Sequence, residues 1–403
     1  MRRRRTGTSP INRFLRRTRT TRATESAGNS VVEDVAGRLE GLVERLSASG
    51  WLTRERVAAA LRDVPRHAFV PAVAWSGEGD RVDRATAPEG WLDLVYRDDA
   101  IITQLDDGRT DVAAGSGRFT SSCSAPSTVV SLLELLDAEV GHRVLDVGTG
   151  TGWTAALLSR MVGVENVTSV EVDPFVSAQA AENLKGVGAF PRLVVGNGAD
   201  GWEEGALFDR VHATCGVSRV PYAWVRQTRP GGVIVTPYAP GFASSHELRL
   251  VVMPDGTAVG RFTGYASYMM MRSHRQPPWP ASGEGGTTCT TPIDPRTIGY
   301  APAGADLAMG AFLPGVNAQG RHEGDTYVLR LWSEQAWATA TYRPGQRVHE
   351  VRTSGSLNLW EEAARAYFWW VGQGSPGRDR FGITVASGAE AVWLDAPNNL
   401  IGS

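Results

Sequence analysis

The chain has 403 residues, 42% apolar and 21% charged, which is enough apolar material for large buried cores and excludes a wholly disordered protein. No apolar run approaches the ~20 residues of a membrane helix. The three cysteines, Cys123, Cys215 and Cys289, lie far apart with no CxxC pair, which argues against a disulfide framework or a zinc ribbon and for a reducing, cytoplasmic setting. The net charge of −2 hides a split: residues 1–30 hold nine arginines against Glu25, a charge of +8, and the remainder carries −10. An acidic body argues against nucleic acid as the main partner.

In chain order, residues 1–30 read as a disordered Arg-rich arm, with too few apolar residues to pack. Ser30 to Leu46 has the period of an amphipathic helix, and Ser30 with Glu33 makes a capping box. A second helix is expected from Thr53 to about Val64. The stretch from Pro71 to Gly117 reads as irregular, with one strand over Asp99 to Thr103. Ser124 is then a candidate N-cap for an apolar helix over Val129 to Leu136, Pro126 being tolerated in its first turn.

From residue 143 the pattern changes to strands alternating with helices, the signature of a parallel sheet covered on both faces. Strands are expected at Arg143–Val147, Asn166–Val172, Arg192–Gly196, Asp209–Cys215 and Gly232–Pro237, with helices at Thr151–Met161 and Pro174–Leu184. Pro254, Asp255 and Gly256 mark a hairpin between Leu248–Val252 and Ala258–Thr263. These signals divide the chain into an N-terminal helical and substrate-capping region (31–142), a Rossmann-like domain (143–275), a linker (276–291) and a Trp-rich C-terminal α+β domain (292–403).

The strongest chemical signal is Val144 to Gly152, an apolar strand running into a turn with glycines at 148, 150 and 152. Such glycines let the backbone approach a ligand and leave amides free at a helix N-terminus. Glu171 ends the next strand, 23 residues after Gly148, where a carboxylate can take both hydroxyls of a ribose. The spacing from Asp146 through Gly148, Gly150 and Gly152 selects S-adenosylmethionine over a dinucleotide, whose loop would read GxGxxG, and over a purely structural turn. No metal-ligand pattern is present. His212 reads as a satisfied core histidine and Cys215 as a small residue near the expected methyl position.

Four further segments resemble the protein-L-isoaspartate O-methyltransferase family: Leu61 to Pro71, Ser124-Ala125-Pro126, Val195 to Trp202, and Phe208 to Cys215 with its continuation through Pro221 to Val235. The match covers roughly residues 35–240. It implies a Rossmann-like methyltransferase sheet, with S-adenosylmethionine held by Asp146, Gly148, Thr149, Gly150, Thr151, Gly152, Glu171, Val172, Asn197, Gly198 and Cys215. Asn197 stands where the family usually has Asp. The resemblance also implies that Ser124 sits at the substrate carboxylate as the catalytic residue, with Ser121, Ser122, Thr103, Tyr96 and Gln104 as substrate-binding candidates.

The C-terminal addition makes the chain similar to an extended branch of the family associated with lanthipeptides. There a modified precursor peptide is esterified on aspartate and closes to a succinimide, then to isoaspartate. General isoaspartate repair and a non-catalytic peptide-binding module are the competing expectations. The C-terminal tryptophans, Trp332, Trp337, Trp360, Trp369, Trp370 and Trp393, are read as core residues or as anchors for a peptide groove.

Overall fold

The computed structural model describes residues 35–242, 245–280 and 286–402. The Arg-rich arm and the Ser30 capping box lie outside them. The first helix is described over residues 35–48 (α1), and its apolar face (Leu39, Leu42, Val43, Leu46) is buried against α2, Glu55–Asp63, and its surroundings. The stretch expected to be irregular contains β1 (Val73–Ser76), β2 (Arg81–Asp83), α3 (Pro88–Val95) and β3 (Ile101–Leu105), followed by β4 (Phe119–Cys123). These strands form a sheet in the order β2-β1-β3-β4. Strands of three to five residues are too short to display alternation in sequence, and they hold here because Trp91 of α3, 1% exposed, packs beneath them.

Helix α4 spans Pro126–Leu136, and its N-cap is Ala125, not Ser124. With Pro126 in the first turn the helix begins two residues after the serine, and Ala125 supplies no side-chain cap. The Ser124 hydroxyl is thereby released from capping.

Strands β5 (Val144–Val147), β6 (Val167–Glu171), β7 (Arg192–Val195), β8 (Phe208–Ala213) and β9 (Thr228–Tyr238) form the expected parallel array, with α5 (Trp153–Val162) after β5, α6 (Pro174–Gly186) after β6 and the short α7 (Tyr222–Arg226) before β9. β5 is buried at every residue, as a central strand covered on both faces must be. β10 (His246–Val252) and β11 (Ala258–Tyr265) follow as the expected antiparallel hairpin beside β9.

The next residues build a second antiparallel sheet from β12 (Thr287–Thr291), β13 (Asn317–Glu323), β14 (Thr326–Trp332), β15 (Ala336–Tyr342) and β16 (His349–Gly355), in the order β12-β16-β15-β14-β13. β12 falls in the stretch read as linker: five residues rich in threonine pair along their whole length with β16. Helices α8 (Pro295–Gly299) and α10 (Leu359–Gly372) pack on this sheet, and α9 (Ala303–Phe312) packs on α10. The chain then returns to the central sheet: β17 (Phe381–Ala386) pairs with β11 and β18 (Ala389–Leu394) with β17, giving nine strands in the order β18-β17-β11-β10-β9-β8-β5-β6-β7. Leu145 and Val147 of β5 share one buried apolar cluster with Leu329, Val351 and Trp360, so the C-terminal region does not close a core of its own. Trp332, Trp337, Trp360, Trp370 and Trp393 are all buried and Trp369 packs against that cluster, which answers the question of tryptophan role in favour of the core.

Candidate active site

In the strand order, β5 has β6 on one side and β8 on the other, and the connections leaving the C-terminal ends of β5 and β8 run in opposite directions, to β6 and to β9. Such a switch point opens a crevice. A cleft of about 960 Å³, open solvent included, lies there. Its lining includes Gln104, Ser121, Ser122, Ser124, Gly148, Thr149, Gly150, Thr151, Glu171, Val172, Asn197, Gly198 and Cys215, all singled out from sequence.

The glycine loop leaves β5 with Gly148 at φ 94° and Gly150 at φ 54°, left-handed geometry that a residue with a Cβ adopts at a cost. A Cβ on Gly148 would meet the Thr214 hydroxyl at 2.8 Å. At the tip of β6, Glu171 is 8% exposed; one carboxylate oxygen accepts the Gly150 N–H and the other the Asp173 N–H, each at 3.0 Å. Burial raises its pKa above the ordinary glutamate range, and those two backbone donors work against the rise. Each carboxylate oxygen has further acceptor capacity for a hydroxyl. On the opposite wall Asn197 turns its Oδ1 to the Ala199 N–H, and a Cβ on Gly198 would run into Val147 at 2.4 Å. Val172, Val176 and Met271 add apolar surface.

This donor set fits S-adenosylmethionine: a glycine-lined cradle, a buried carboxylate at ribose distance along the sheet edge, and an apolar slot with an amide at its rim.

Four residues singled out from sequence stand outside the lining. Asp146 lies beneath it, fully buried; it accepts from Ser169, which bonds Thr149 of the loop at 2.7 Å, and it bonds His212 at 3.1 Å. Asp146 therefore holds the loop through an intermediary, and His212, also fully buried, is its partner in the core. Gly152 faces away, packed toward Leu184 of α6. The Thr103 hydroxyl donates to Ser121 at 3.2 Å from behind. Tyr96 is buried and bonds His67 at 2.7 Å. Cys215 does line the cleft; burial, reinforced by the charges of Glu171 and Asp146, pushes its thiol up to about 12, so it stays protonated and unreactive at neutral pH.

One wall was not legible in sequence. After β11 the chain crosses the cleft as a strap carrying Tyr268, Met269, Met270, Met271, Arg272 and Arg275. Gly216 fixes it: its N–H donates to the Met269 carbonyl and its carbonyl accepts from Met271, both at 2.9 Å. Arg275 holds Asp107 through two bonds of 2.8 Å, while Arg272 reaches Asp107 at 3.2 Å and Asp173 at 2.7 Å. Gln104 also donates to Asp173, at 3.0 Å, so α6, the β3–β4 connection and the strap are tied at one point. The arginines hold Asp107 down at a pKa of about 2, the Arg275 hydrogen bonds first among the causes. The only sequence signal was the run of three methionines between an aromatic and two arginines.

Among the described residues no helix is long and apolar enough to cross a membrane, and no three His, Cys, Asp or Glu side chains converge as a metal site.

Comparison with known proteins agrees with this geometry. The sequence profile of the family described as protein-L-isoaspartate(D-aspartate) O-methyltransferase matches residues 38–268. A protein-L-isoaspartate O-methyltransferase of Methanopyrus kandleri is 36% identical over 225 residues, 55% of this chain and 85% of that protein. One of Ignicoccus hospitalis is 30% identical over 222 residues, 54% of this chain and 90% of that protein. A solved structure named protein-L-isoaspartate O-methyltransferase superposes with a TM-score of 0.53 at 19% identity, covering 89% of this chain and 100% of its own, so the likeness of fold extends beyond the residues matched by the family profile. The chain belongs to the protein-L-isoaspartate(D-aspartate) O-methyltransferase family and is an S-adenosylmethionine-dependent carboxyl O-methyltransferase.

Proposed function

We propose that the enzyme methylates an aspartate-derived carboxylate in a peptide or protein, with the isoaspartyl carboxylate as its substrate. The observation that carries this reading is the set of hydroxyls in the cleft: Ser121, Ser122 and Ser124 line it together with the glycine loop, and the cation beside Ser124, Arg66, is spent on backbone carbonyls. A carboxylate with a reference pKa near ~4 is already ionised at neutral pH and needs no general base. It does need to be stripped of water and aligned, and neutral hydroxyls do this without protonating it or tying up its charge. S-adenosylmethionine, when bound, supplies a methyl carbon activated by a positively charged sulfur. In this assignment Glu171 and Asn197 hold the nucleoside, Gly148 to Gly150 leave room for its amino-acid end, and Ser124 orients the carboxylate.

A second reading is supported by the C-terminal region. There the substrate is an unmodified aspartate in a ribosomally made, lanthipeptide-like precursor, and the ester closes to a succinimide. Trp332 donates from its indole to the Pro277 carbonyl at 2.9 Å, and Trp279 packs edge-on against Trp332 and Trp337, so the second sheet grips the far end of the strap over the cleft. A strap so held could select one peptide.

Labelled methyl transfer to an isoaspartyl peptide and to its aspartyl twin separates the readings. Base-labile label on the isoaspartyl peptide alone supports the first. Label on the aspartyl form of one constrained peptide, with linear peptides left untouched, supports the second. No label on either refutes both and leaves a peptide-binding module.

A further inference from the structure

Tyr268 is carried by the strap and lines the cleft together with Ser124 and Cys215. The bonds of Gly216 to Met269 and Met271, one and three residues further along the strap, fix its register. Its hydroxyl oxygen is shut off from solvent and has no partner at full hydrogen-bonding geometry among the described residues, the Ser124 side chain being the neighbour it faces. An orphaned buried hydroxyl costs about 1–3 kcal/mol, so a fold keeps one where a ligand supplies the missing partner.

The surroundings say which kind of ligand. The Ser124 side chain lies close enough to act on the phenol, and burial, followed by the charges of Asp146 and Glu247, raises the phenol's pKa far above its usual value. The phenol is therefore a neutral donor throughout the physiological range. It cannot lose its proton to a carboxylate, whose pKa lies many units lower. A neutral O–H donor beside a second one, with the nearby Arg66 guanidinium spent on the backbone carbonyls of Cys123 and Ser124, matches one demand: an anionic oxygen to be held but not protonated.

We propose that Tyr268 is a second catalytic residue of the carboxylate site, its O–H donating to one oxygen of the substrate carboxylate while Ser124 orients the group for reaction. This rests on the carboxyl-methylation reading given above. In the transfer the reacting carboxylate oxygen forms a bond to the methyl carbon, the carbon–sulfur bond breaks, and its electron pair stays on sulfur. The negative charge of the carboxylate and the positive charge of the sulfonium disappear together. No proton moves, and both hydroxyls end as they began.

The test is Tyr268→Phe in the full-length enzyme, which keeps the ring and removes only the oxygen. Three quantities are read: kcat/KM for an isoaspartyl peptide, affinity for S-adenosylhomocysteine by calorimetry, and Tm. The expected result is a ~10- to 100-fold fall in kcat/KM, as for loss of a hydrogen bond to a charged group, with cofactor-product affinity within about twofold and Tm unchanged or raised. A variant with wild-type kcat/KM overturns the assignment. So does a fall in S-adenosylhomocysteine affinity that accounts for the whole loss, because the hydroxyl would then serve the nucleoside. If the wild-type enzyme labels no carboxylate at all, the methylation reading fails and the tyrosine assignment falls with it. An active wild type with an equally active Y268F overturns the tyrosine alone.

Discussion

The guanidinium of Arg66 donates to the backbone carbonyl of Ser124 at 2.9 Å, across 58 residues of sequence. The same guanidinium donates to the carbonyls of Asp99 at 2.7 Å and Cys123 at 3.1 Å and to that of Val95, and it lies over the Trp153 ring with only 1% of the residue exposed. One buried cation thus gathers the C-terminal end of β4 and the segment before β3, and sets the turn from which Ser124, the serine proposed to orient the carboxylate, projects. This gives the Arg66 of the Leu61–Pro71 segment a physical role: it is structural in its contacts and functional in what it positions.

Replacing Arg66 by Met keeps the bulk and leaves several buried carbonyls without a donor. The expected destabilisation is about 3 kcal/mol or more, which lowers Tm by roughly 3–4 °C or more for a chain of 403 residues. Thermal unfolding checks this. At temperatures where the variant remains folded, kcat is expected to fall while S-adenosylhomocysteine affinity changes less, because the hydrogen bonds of Arg66 go to Val95, Arg97, Asp99, Cys123 and Ser124 and none to Glu171 or the glycine loop.

Glu171→Gln removes the charge proposed to accept the ribose hydroxyls but keeps the shape. The loss of a charge-assisted hydrogen bond predicts a ~10-fold or greater weakening of S-adenosylhomocysteine binding. In the wild type, burial raises the pKa of Glu171, so on acidification the charged acceptor is lost at a higher pH than an exposed glutamate would be. Calorimetry from pH 7 downward is expected to show affinity declining in the wild type at a pH above the ordinary glutamate range, and little pH dependence there in E171Q.

Asp107 is the anchor of the strap, and its pKa is depressed to about 2, chiefly by the hydrogen bonds of Arg275. A folded-state value below the unfolded one contributes stability that is fully present above the unfolded value near ~4 and is lost as pH falls toward 2. The latch is therefore insensitive to pH around neutrality. Asp107→Asn is expected to raise amide hydrogen exchange over residues 266–279 and to raise KM for the peptide several-fold, with little change in exchange in β5 or α5.

Trp279 ties the strap to the second sheet, with the Arg330 guanidinium 5.2 Å from its ring centre as well as its two tryptophan neighbours. Trp279→Ala is expected to speed hydrogen exchange at the far end of the strap and to raise peptide KM, while α10 and the second sheet keep their protection. Unchanged exchange over residues 266–279 would mean that Gly216 and Asp107 hold the strap without help from the C-terminal region.

Composition and local pattern were enough to read the parallel strands, the glycine loop, Glu171, and the cradle residues Asn197 and Gly198. These depend on short-range rules: an apolar run long enough to be buried on both faces, glycines where the backbone turns left-handed, and an acid at the end of the following strand. The residues from 71 to 117 were read less well, because strands of three to five residues carry no periodicity of their own and gain their structure from the sheet that receives them. Tertiary structure alone decided that Ser124 caps no helix, that Tyr96 and Gly152 face away from the cleft, and that β17 and β18 close the central sheet. It alone placed Tyr268 beside Ser124, 144 residues away in the chain. A strap has no repeating pattern to announce it. Its position is set by two backbone hydrogen bonds to Gly216, the carboxylates of Asp107 and Asp173 and a grip of indole rings, and contacts across such separations leave no mark on either segment read alone.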